Sequence, residues 1–348
     1  MTDLSTRYLG MTLRSPLLAS SSPATLGVER VRELADAGVG AVVLPSLFEE
    51  EVTREQLRDL ALTEGTEHGD GEAASYFPRV PSAGGAEAGA ASRHLRLVEQ
   101  CAAAVDVPVI ASLNGSTAGG WTGFARRLVD AGAAAVELNV YLVPGDPASS
   151  GREVEDLHVE VLERVREVLE VPVAVKLSPY FSATGEMATR LDRAGAHALV
   201  LFNRFLQPDV DPDTLRVTTA VELSSPAEAR LARTWVALLH RRVRADLAAT
   251  TGVESARDVA AYLLAGADVV MTASALVRHG TGHAATLLQG LTRWMEEHGF
   301  ADLTAVRGRL AVPTDVDASA HGRAGYVAAL ERARRTYGDL AAVRQPST

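Results

Sequence analysis

Short apolar runs alternate with longer amphipathic stretches along most of the chain. A phrase of Ala-Gly, a small residue and then apolar residues recurs four times, within residues 36–44, 130–138, 193–201 and 264–271. In each copy the glycine is placed to end a helix, and the apolar run after it is typical of a buried parallel strand. The pattern therefore predicts repeated units in which a helix is followed by a strand.

Four further apolar runs complete the predicted strands. Two follow Val-Pro, at residues 107–113 and 171–177, and two cover residues 16–20 and 243–250. Eight buried strands separated by helices favour an α/β fold of the (β/α)8 TIM barrel type. An open doubly wound sheet is disfavoured, because no GxGxxG motif follows the first strand.

Several segments are additions to this barrel. We expect an N-terminal hairpin before the first strand and a long insertion after the second strand, at about residues 48–93, which is partly helical or forms a mobile lid. A second long connection, residues 204–226, follows the sixth strand. The barrel domain is expected to cover residues 1–300, and a C-terminal helical tail residues 301–348, with a polar linker and a helix at 323–337.

Composition and charge exclude several partners. Lys and Arg number 34 against 44 Asp and Glu, a formal net charge of −10, so we expect no nucleic-acid partner, which would need a basic face. We expect no membrane partner either, because no apolar run approaches the roughly 20 residues of a membrane span. The start of the sequence lacks a signal-peptide pattern, which favours a cytoplasmic protein.

The residues that usually hold metals are sparse. Cys101 is the only cysteine, and the histidines do not follow HExxH or a similar spacing. One cysteine excludes an internal disulfide and a CxxC metal site. We therefore expect no structural metal.

Rare residue types mark the candidate site. Lys176 is the only lysine, and Asn114, Asn139 and Asn203 are the only asparagines. All four end predicted strands, on the face where TIM barrels place their active sites. An ammonium there needs an anionic or electron-rich partner, and amides suit the edge of a planar heterocycle.

The residues that follow the seventh and eighth predicted strands are of a different type. Residues 249–253 and 271–275 are small, expose backbone N–H groups and precede predicted helices. This pattern is typical of the phosphate site of TIM barrels, although tight turns without a ligand look the same. With the lysine and the amides, it indicates a phosphorylated ligand that carries a polar ring.

At these residues the chain resembles the dihydroorotate dehydrogenase family. The runs include Val-Glu-Leu-Asn-Val at 136–140 and Ala-Val-Lys-Leu-Ser-Pro at 174–179, and the resemblance spans about residues 4–282. Further runs in the family's order lie at residues 15–20, 198–203, 251–253 and 265–270. The resemblance implies an FMN-binding barrel over residues 1–300, and an FMN-dependent oxidoreductase that moves a hydride between the flavin and a C–C bond of a small polar substrate.

The resemblance also implies roles for individual residues. Those implied to bind FMN are Ala19, Ser20, Ser46, Asn114, Asn139, Lys176, Gly252, Val253, Ala273 and Ser274. Those implied to bind the substrate are Asn139, Asn203 and Arg204, where Arg204 either pairs with a substrate carboxylate or caps its loop. Lys176 and Tyr141 are the candidate catalytic residues, and the charge of Lys176 would favour reduction of the flavin.

The chain departs from the family at the catalytic base. Family members usually carry Cys or Ser, then Pro and Asn, directly after the Glu-Leu-Asn-Val run, whereas Tyr141 and residues 142–147 stand here. Cys101 lies in a predicted helix and cannot replace the base. Pro45, beside Ser46, stands where a lysine is usual after the second strand. These departures resemble a dihydroorotate dehydrogenase-like subgroup and make dihydroorotate itself a doubtful substrate.

Two other functions remain open. Lys176 is also a candidate nucleophile for a Schiff-base lyase or aldolase, with the site after strands seven and eight holding a substrate phosphate. The barrel is alternatively a flavin-binding protein without turnover. Tyr141 is either an acid/base or an aromatic wall of the pocket. The resemblance leaves open a homodimer and a separate electron-transfer partner, since the chain has no cysteine cluster for an iron–sulfur centre.

Overall fold

A closed barrel of eight parallel strands forms the body of the computed structural model, which describes residues 2–55, 89–115, 122–204, 208–219 and 221–338. The barrel strands are β3 (Leu17–Ala19), β4 (Ala41–Phe48), β5 (Val109–Asn114), β6 (Ala135–Asn139), β7 (Val173–Leu177), β8 (Ala198–Leu201), β11 (Asp246–Ala249) and β12 (Val269–Thr272). They pair in that order, and β12 pairs with β3 to close the ring. The predicted (β/α)8 TIM barrel is confirmed.

Helices surround the strands. They are α1 (Val28–Asp36), α2 (Ala90–Ala104), α3 (Thr122–Asp130), α4 (Gly151–Val168), α5 (Thr184–Arg193), α6 (Ala229–Leu239), α7 (Ala256–Ala265), α8 (Ser274–His279), α9 (His283–Glu297) and α10 (Ala318–Tyr337). Each copy of the Ala-Gly phrase joins a helix to a strand. Its glycine has a positive φ, of 94° at Gly38, 102° at Gly132, 94° at Gly195 and 119° at Gly266, which favours glycine over other residues.

Two apolar layers stabilise the barrel. The larger one lies between the strands and the helices and includes Cys101, which is buried in α2 as a core residue. The smaller one fills the barrel interior and consists mainly of alanine and valine, with Leu18, Ile110 and Met271 as its larger strand residues. Strand residues alternate between the two layers, so every second residue of a strand faces the interior.

The N-terminal hairpin closes one end of the barrel. Its strands are β1 (Thr6–Tyr8) and β2 (Met11–Leu13), which pair antiparallel, and Tyr8 and Leu9 belong to the interior layer. The backbone N–H of Leu9 donates to Asp246 Oδ2 at 2.7 Å, and Asp246 is the first residue of β11. The hairpin therefore covers the amino ends of the strands, opposite the predicted site.

The second barrel strand extends past the predicted end at Leu44 to Phe48. Residues 49–55 continue as a helical turn, and the carboxylate of Glu55 accepts the backbone N–H of Ala91 at 2.7 Å, in the first turn of α2. The two ends of the predicted insertion thus meet. Residues 56–88, which hold most of that insertion and of the predicted lid, lie outside the described residues.

The connection after β8 contains an exposed hairpin. Its strands are β9 (Asp209–Asp211) and β10 (Arg216–Thr218), paired antiparallel. The connection ends in a short 3-10 helix, Pro226–Glu228, that leads into α6.

The segment that follows residue 300 packs on the barrel, although it was expected to be a polar linker. Leu303 and Val306 are buried, and the backbone N–H of Gly308 donates to Leu263 O at 2.9 Å. The final helix begins at Ala318, five residues before the predicted start at 323, because the Asp317 side chain caps it. None of the residues of α10 is buried. No helix in the described ranges is both long and apolar enough to cross a bilayer.

Candidate active site

Three of the rare residues form one row at the carboxyl ends of adjacent strands. Asn114 of β5 pairs in register with Asn139 of β6, and Asn139 pairs with Lys176 of β7. Both asparagines are buried, and the side chain of Lys176 is 11% exposed. The row presents two amides and one ammonium side by side at the barrel mouth, as donors and acceptors for one flat ligand.

A second row lies one inward-facing position deeper. Ser46 of β4, Ser112 of β5 and Glu137 of β6 occupy matching register positions, and Ser46 Oγ is 2.7 Å from Ser112 Oγ. Glu137 is fully buried, and its Oε1 lies 3.8 Å from Lys176 Nζ. Burial raises the pKa of the Glu137 carboxyl, and the nearby Lys176 ammonium acts in the opposite direction.

A bulge in β4 brings Ser46 to this position. Val43 pairs with Ile110 and Ser46 pairs with Ser112, so β4 has one more residue than β5 between the two pairs. Pro45 is one of the two residues that β4 has between these pairs. Proline cannot donate to a strand ladder, and it is tolerated in a sheet at such an irregularity. Because the bulge shifts the alternation by one, Ser46 and not Pro45 faces the interior.

Asn203 joins the row from the strand next to Lys176. Its Nδ2 donates to Asn139 Oδ1 at 2.8 Å, and its backbone N–H donates to Leu177 O at 2.7 Å. A cleft of about 460 Å³ opens beside it, lined by Tyr180, Asn203, Arg204 and Glu228 among others. Arg204 Nε donates to Glu228 Oε1 at 3.0 Å, so its guanidinium already has an acidic partner in the loop.

Three loops converge on Ser224. This buried residue comes from the connection after β8, and its Oγ lies 2.9 Å from Ser274 Oγ, which follows β12. The backbone N–H of Gly252, which follows β11, donates to the same Ser224 Oγ at 3.2 Å. Gly252 has a φ of +68°, and a Cβ built there would lie 2.6 Å from Ser225 O. Both the backbone conformation and the close approach of Ser225 therefore favour glycine at this position.

A charged cluster supports this convergence. Arg278 in α8 donates from Nη2 to Ser224 O at 2.7 Å and from Nη1 to Glu254 Oε2 at 2.5 Å. His279 Nε2 lies 2.6 Å from Glu254 Oε1. Glu254 follows Gly252 by two residues, so the cluster ties the loop after β11 to the loop after β8. It also places one guanidinium beside the three-loop convergence.

The side chains of four other predicted cofactor residues differ in their position relative to the barrel mouth. Ser20 is buried and shares the inward-facing alternation of Leu18, whereas Ala19 packs in the layer between strands and helices. Val253 also packs in that outer layer, and Ala273 precedes α8. Ala19 and Val253 therefore offer the mouth their backbone rather than their side chains.

Tyr141 follows β6 by two residues and is partly buried. Val140 before it is buried in the outer layer. The residues after it, 142–150, include no cysteine, and their serines, at 149 and 150, lie at the start of α4. No group of three or more His, Cys, Asp and Glu side chains in the described part of the chain is arranged to hold a metal ion.

Three residues of this site were not predicted from the sequence: Glu137, Ser224 and Arg278. Glu137 stands two positions before Asn139, so strand alternation alone places it in the interior. Ser224 precedes the Ser-Pro start of a 3-10 helix, which marks a turn but not its partners. Arg278 has no local signal, because its contacts depend on how distant loops meet.

Comparison with known proteins gives consistent matches. The family model described as dihydroorotate dehydrogenase matches residues 82–295, which include β5 to β8, β11 and β12. A putative dihydroorotate dehydrogenase A (fumarate) of Aeropyrum pernix is 29% identical over 218 residues, 61% of this chain and 71% of the relative. A dihydroorotate dehydrogenase B (NAD(+)) catalytic subunit of Bacillus cytotoxicus is 31% identical over 215 residues, 59% of this chain and 67% of the relative.

Proposed function

Because the chain belongs to the dihydroorotate dehydrogenase family, we propose that it binds FMN and moves a hydride between the flavin and a C–C bond of a small polar substrate. The chain is an oxidoreductase that acts on a CH–CH bond. The observation that carries the cofactor proposal is the row Asn114, Asn139 and Lys176, in register on three adjacent strands. A flat ring with hydrogen-bonding edges matches such a row.

The residues present fit FMN at both ends. Asn114, Asn139 and Lys176 would hold the ring, and the convergence of Gly252, Ser224 and Ser274 would hold the phosphate. The convergence of three loops on Ser224 Oγ, which contacts Gly252 N at 3.2 Å and Ser274 Oγ at 2.9 Å, supports the phosphate assignment. When bound, the flavin supplies an acceptor or donor for hydride.

The chain's own residues would orient the reactants. Lys176 would place a positive charge beside the ring, where it stabilises the negative charge that hydride addition brings. The amide of Asn203, held by Asn139 at 2.8 Å, would face the substrate. Arg204 is paired with Glu228, which favours its loop-capping role over binding of a substrate carboxylate.

The proposed substrate is not dihydroorotate. Its oxidation requires a base that takes a carbon-bound proton, and such help commonly contributes about 10²–10⁴ in rate. Neither Cys nor Ser occupies the residues directly after Asn139, where Val140, Tyr141 and Leu142 stand. Tyr141 is the first residue to test as the acid/base against any true substrate.

A visible spectrum of the purified protein, with the mass of the released cofactor, tests the main proposal. We expect an absorbance band near ~450 nm, as oxidised flavins give, and the mass of FMN. A colourless protein that does not take up added FMN would refute it. Stopped-flow mixing with dihydroorotate tests the substrate proposal, and rapid bleaching of the flavin band would refute that part alone.

The Schiff-base alternative is disfavoured by the surroundings of Lys176. A Schiff base forms from an amine that attacks the substrate carbonyl, whereas Lys176 Nζ is paired with the buried carboxylate of Glu137, 3.8 Å away. Trapping of a substrate on Lys176 by borohydride would revive that alternative.

Three further expectations belong to the same proposal. The Bacillus relative is named a catalytic subunit, and we propose that this chain also passes electrons to a separate partner. We propose a homodimer as well, which size-exclusion chromatography with light scattering tests. The division into a barrel and a C-terminal tail is tested by limited proteolysis.

A further inference from the structure

Glu137 is a buried acid that the proposed reaction does not use. Its side chain is 1% exposed, and neither carboxylate oxygen has a hydrogen-bond partner among the described residues. A buried carboxylate is normally hydrogen-bonded or closely paired, because its desolvation is costly. The single ionic neighbour in the described part of the chain is Lys176 at 3.8 Å, which is beyond hydrogen-bond distance.

The groups that face Glu137 are few. The residues in register on β5 and β7 are Ser112 and Ala174, which do not titrate near neutral pH. Tyr8, from the N-terminal hairpin, is fully buried, and its hydroxyl has no hydrogen-bond partner among the described residues. Burial raises the pKa of the Tyr8 hydroxyl, and the nearby Glu137 raises it further, so Tyr8 stays neutral.

Charge balance links this acid to the state of the site. Lys176 and an ionised Glu137 together carry no net charge while the ring beside Lys176 is neutral. A hydride brings two electrons and one proton into the site, which adds one negative charge. An uncompensated charge in a poorly solvated interior is costly, and binding one proton removes it.

We propose that the carboxyl of Glu137 takes up one proton when the flavin beside Lys176 is reduced. This inference rests on the proposed FMN function. The substrate C–H bond breaks as the hydride leaves, and the second proton of the substrate goes to the base or to solvent. One proton from solvent enters at the mouth, past Lys176, and forms an O–H bond with the Glu137 carboxylate, with no net change at Lys176.

The pH dependence of the reduction potential tests this step. Each proton taken up shifts a two-electron equilibrium tenfold per pH unit, or about 30 mV. We expect the reduction potential of the FMN-loaded wild-type protein to fall more steeply with pH than that of Glu137→Gln. Over the range where Glu137 titrates, the two slopes should differ by the contribution of one proton. The method is spectroelectrochemical titration.

A matched control uses another buried acid. Glu155 in α4 is also buried, but it lies outside the barrel and pairs with Arg190 at 3.3 Å. Glu155→Gln should therefore keep the wild-type slope. Equal slopes for wild type and Glu137→Gln would overturn the proposal, even if both bind FMN normally.

Infrared difference spectroscopy of the wild-type protein keeps the proposal testable if Glu137→Gln does not fold. Reduction should produce the C=O band of a protonated carboxyl, and labelling of glutamate with ¹³C should shift it. A wild-type spectrum without that band would overturn the proposal. A wild-type protein that binds no FMN would contradict the proposed function and this inference together, whereas bound FMN without proton uptake would contradict this inference alone.

Discussion

Substitution of Gly252 by alanine tests the proposed phosphate site most directly. The residue has a φ of +68°, and a Cβ there would lie 2.6 Å from Ser225 O and 2.9 Å from Ala229 N. Both contacts are with backbone at the start of α6, which cannot rotate away as a side chain would. The substitution therefore combines an unfavourable backbone conformation with a steric clash.

Gly299 supplies the control. It follows the end of α9, has a φ of +72°, and would place a Cβ with nothing within 4 Å. Gly299→Ala therefore carries the conformational cost alone, about 1 kcal/mol. Gly252→Ala adds the cost of overpacking, about 1–3 kcal/mol, so the free energy of unfolding should fall by about 2–4 kcal/mol in total.

Urea unfolding of the two variants without cofactor measures this difference. Quenching of flavin fluorescence on binding measures FMN affinity, which we expect to fall at least about tenfold in Gly252→Ala, since 1.4 kcal/mol corresponds to that factor. Gly299→Ala should bind FMN as the wild type does. Equal stability and equal FMN affinity of the two variants would refute both the steric clash and the proposed phosphate site at Gly252.

Three smaller changes give further predictions. Tyr8→Phe removes a buried hydroxyl that has no hydrogen-bond partner among the described residues, so stability should stay equal or rise by about 1 kcal/mol; a loss in urea unfolding would show that the hydroxyl is bonded. Burial, and then the nearby Asp268, raise the pKa of Asp246 to about 6, so the folded protein binds this proton more tightly than the unfolded chain, and stability falls as pH rises from about 4 to about 6. Asp246→Asn should remove that dependence and raise the free energy of unfolding above about pH 6 by about 1–2 kcal/mol, a value reduced for partial exposure. Urea unfolding at about pH 5 and about pH 7 measures the change, and a variant whose stability changes with pH as much as that of the wild type would contradict this. Ser224→Ala removes the hydroxyl that contacts Gly252 N and Ser274 Oγ, and FMN should dissociate faster while the urea midpoint changes little; unchanged dissociation would exclude Ser224 from the phosphate site.

Local rules predicted most of the barrel. The Ala-Gly phrase encodes a left-handed glycine that ends each helix, and the following apolar run needs only burial on both faces to become a strand. Asn114 and Asn139 end their strands as predicted, because the carboxyl end of a strand is defined by where its apolar run stops, whereas Asn203 follows the end of β8 by two residues. Asn114, Asn139 and Lys176 are therefore neighbours in the structure as expected.

Features that depend on distant contacts were not predictable in this way. Ser46 faces the interior because of a bulge, and a bulge is visible only once β4 is aligned with β5. Ser224 lies 28 residues before Gly252 in the chain, so their contact follows from tertiary packing. Glu137 follows the strand alternation, yet a charged residue in a barrel interior contradicts the usual preference of that environment.

A reagent that reacts with amines has one side-chain target in this sequence. That target, Lys176, is 11% exposed and lies in the barrel mouth, while every other basic side chain apart from histidine is an arginine. The rate at which an acylating reagent modifies Lys176 thus reports how open the mouth is. The sequence offers no second lysine for acetylation, crosslinking or immobilisation, so coupling through its side-chain amines modifies the barrel mouth.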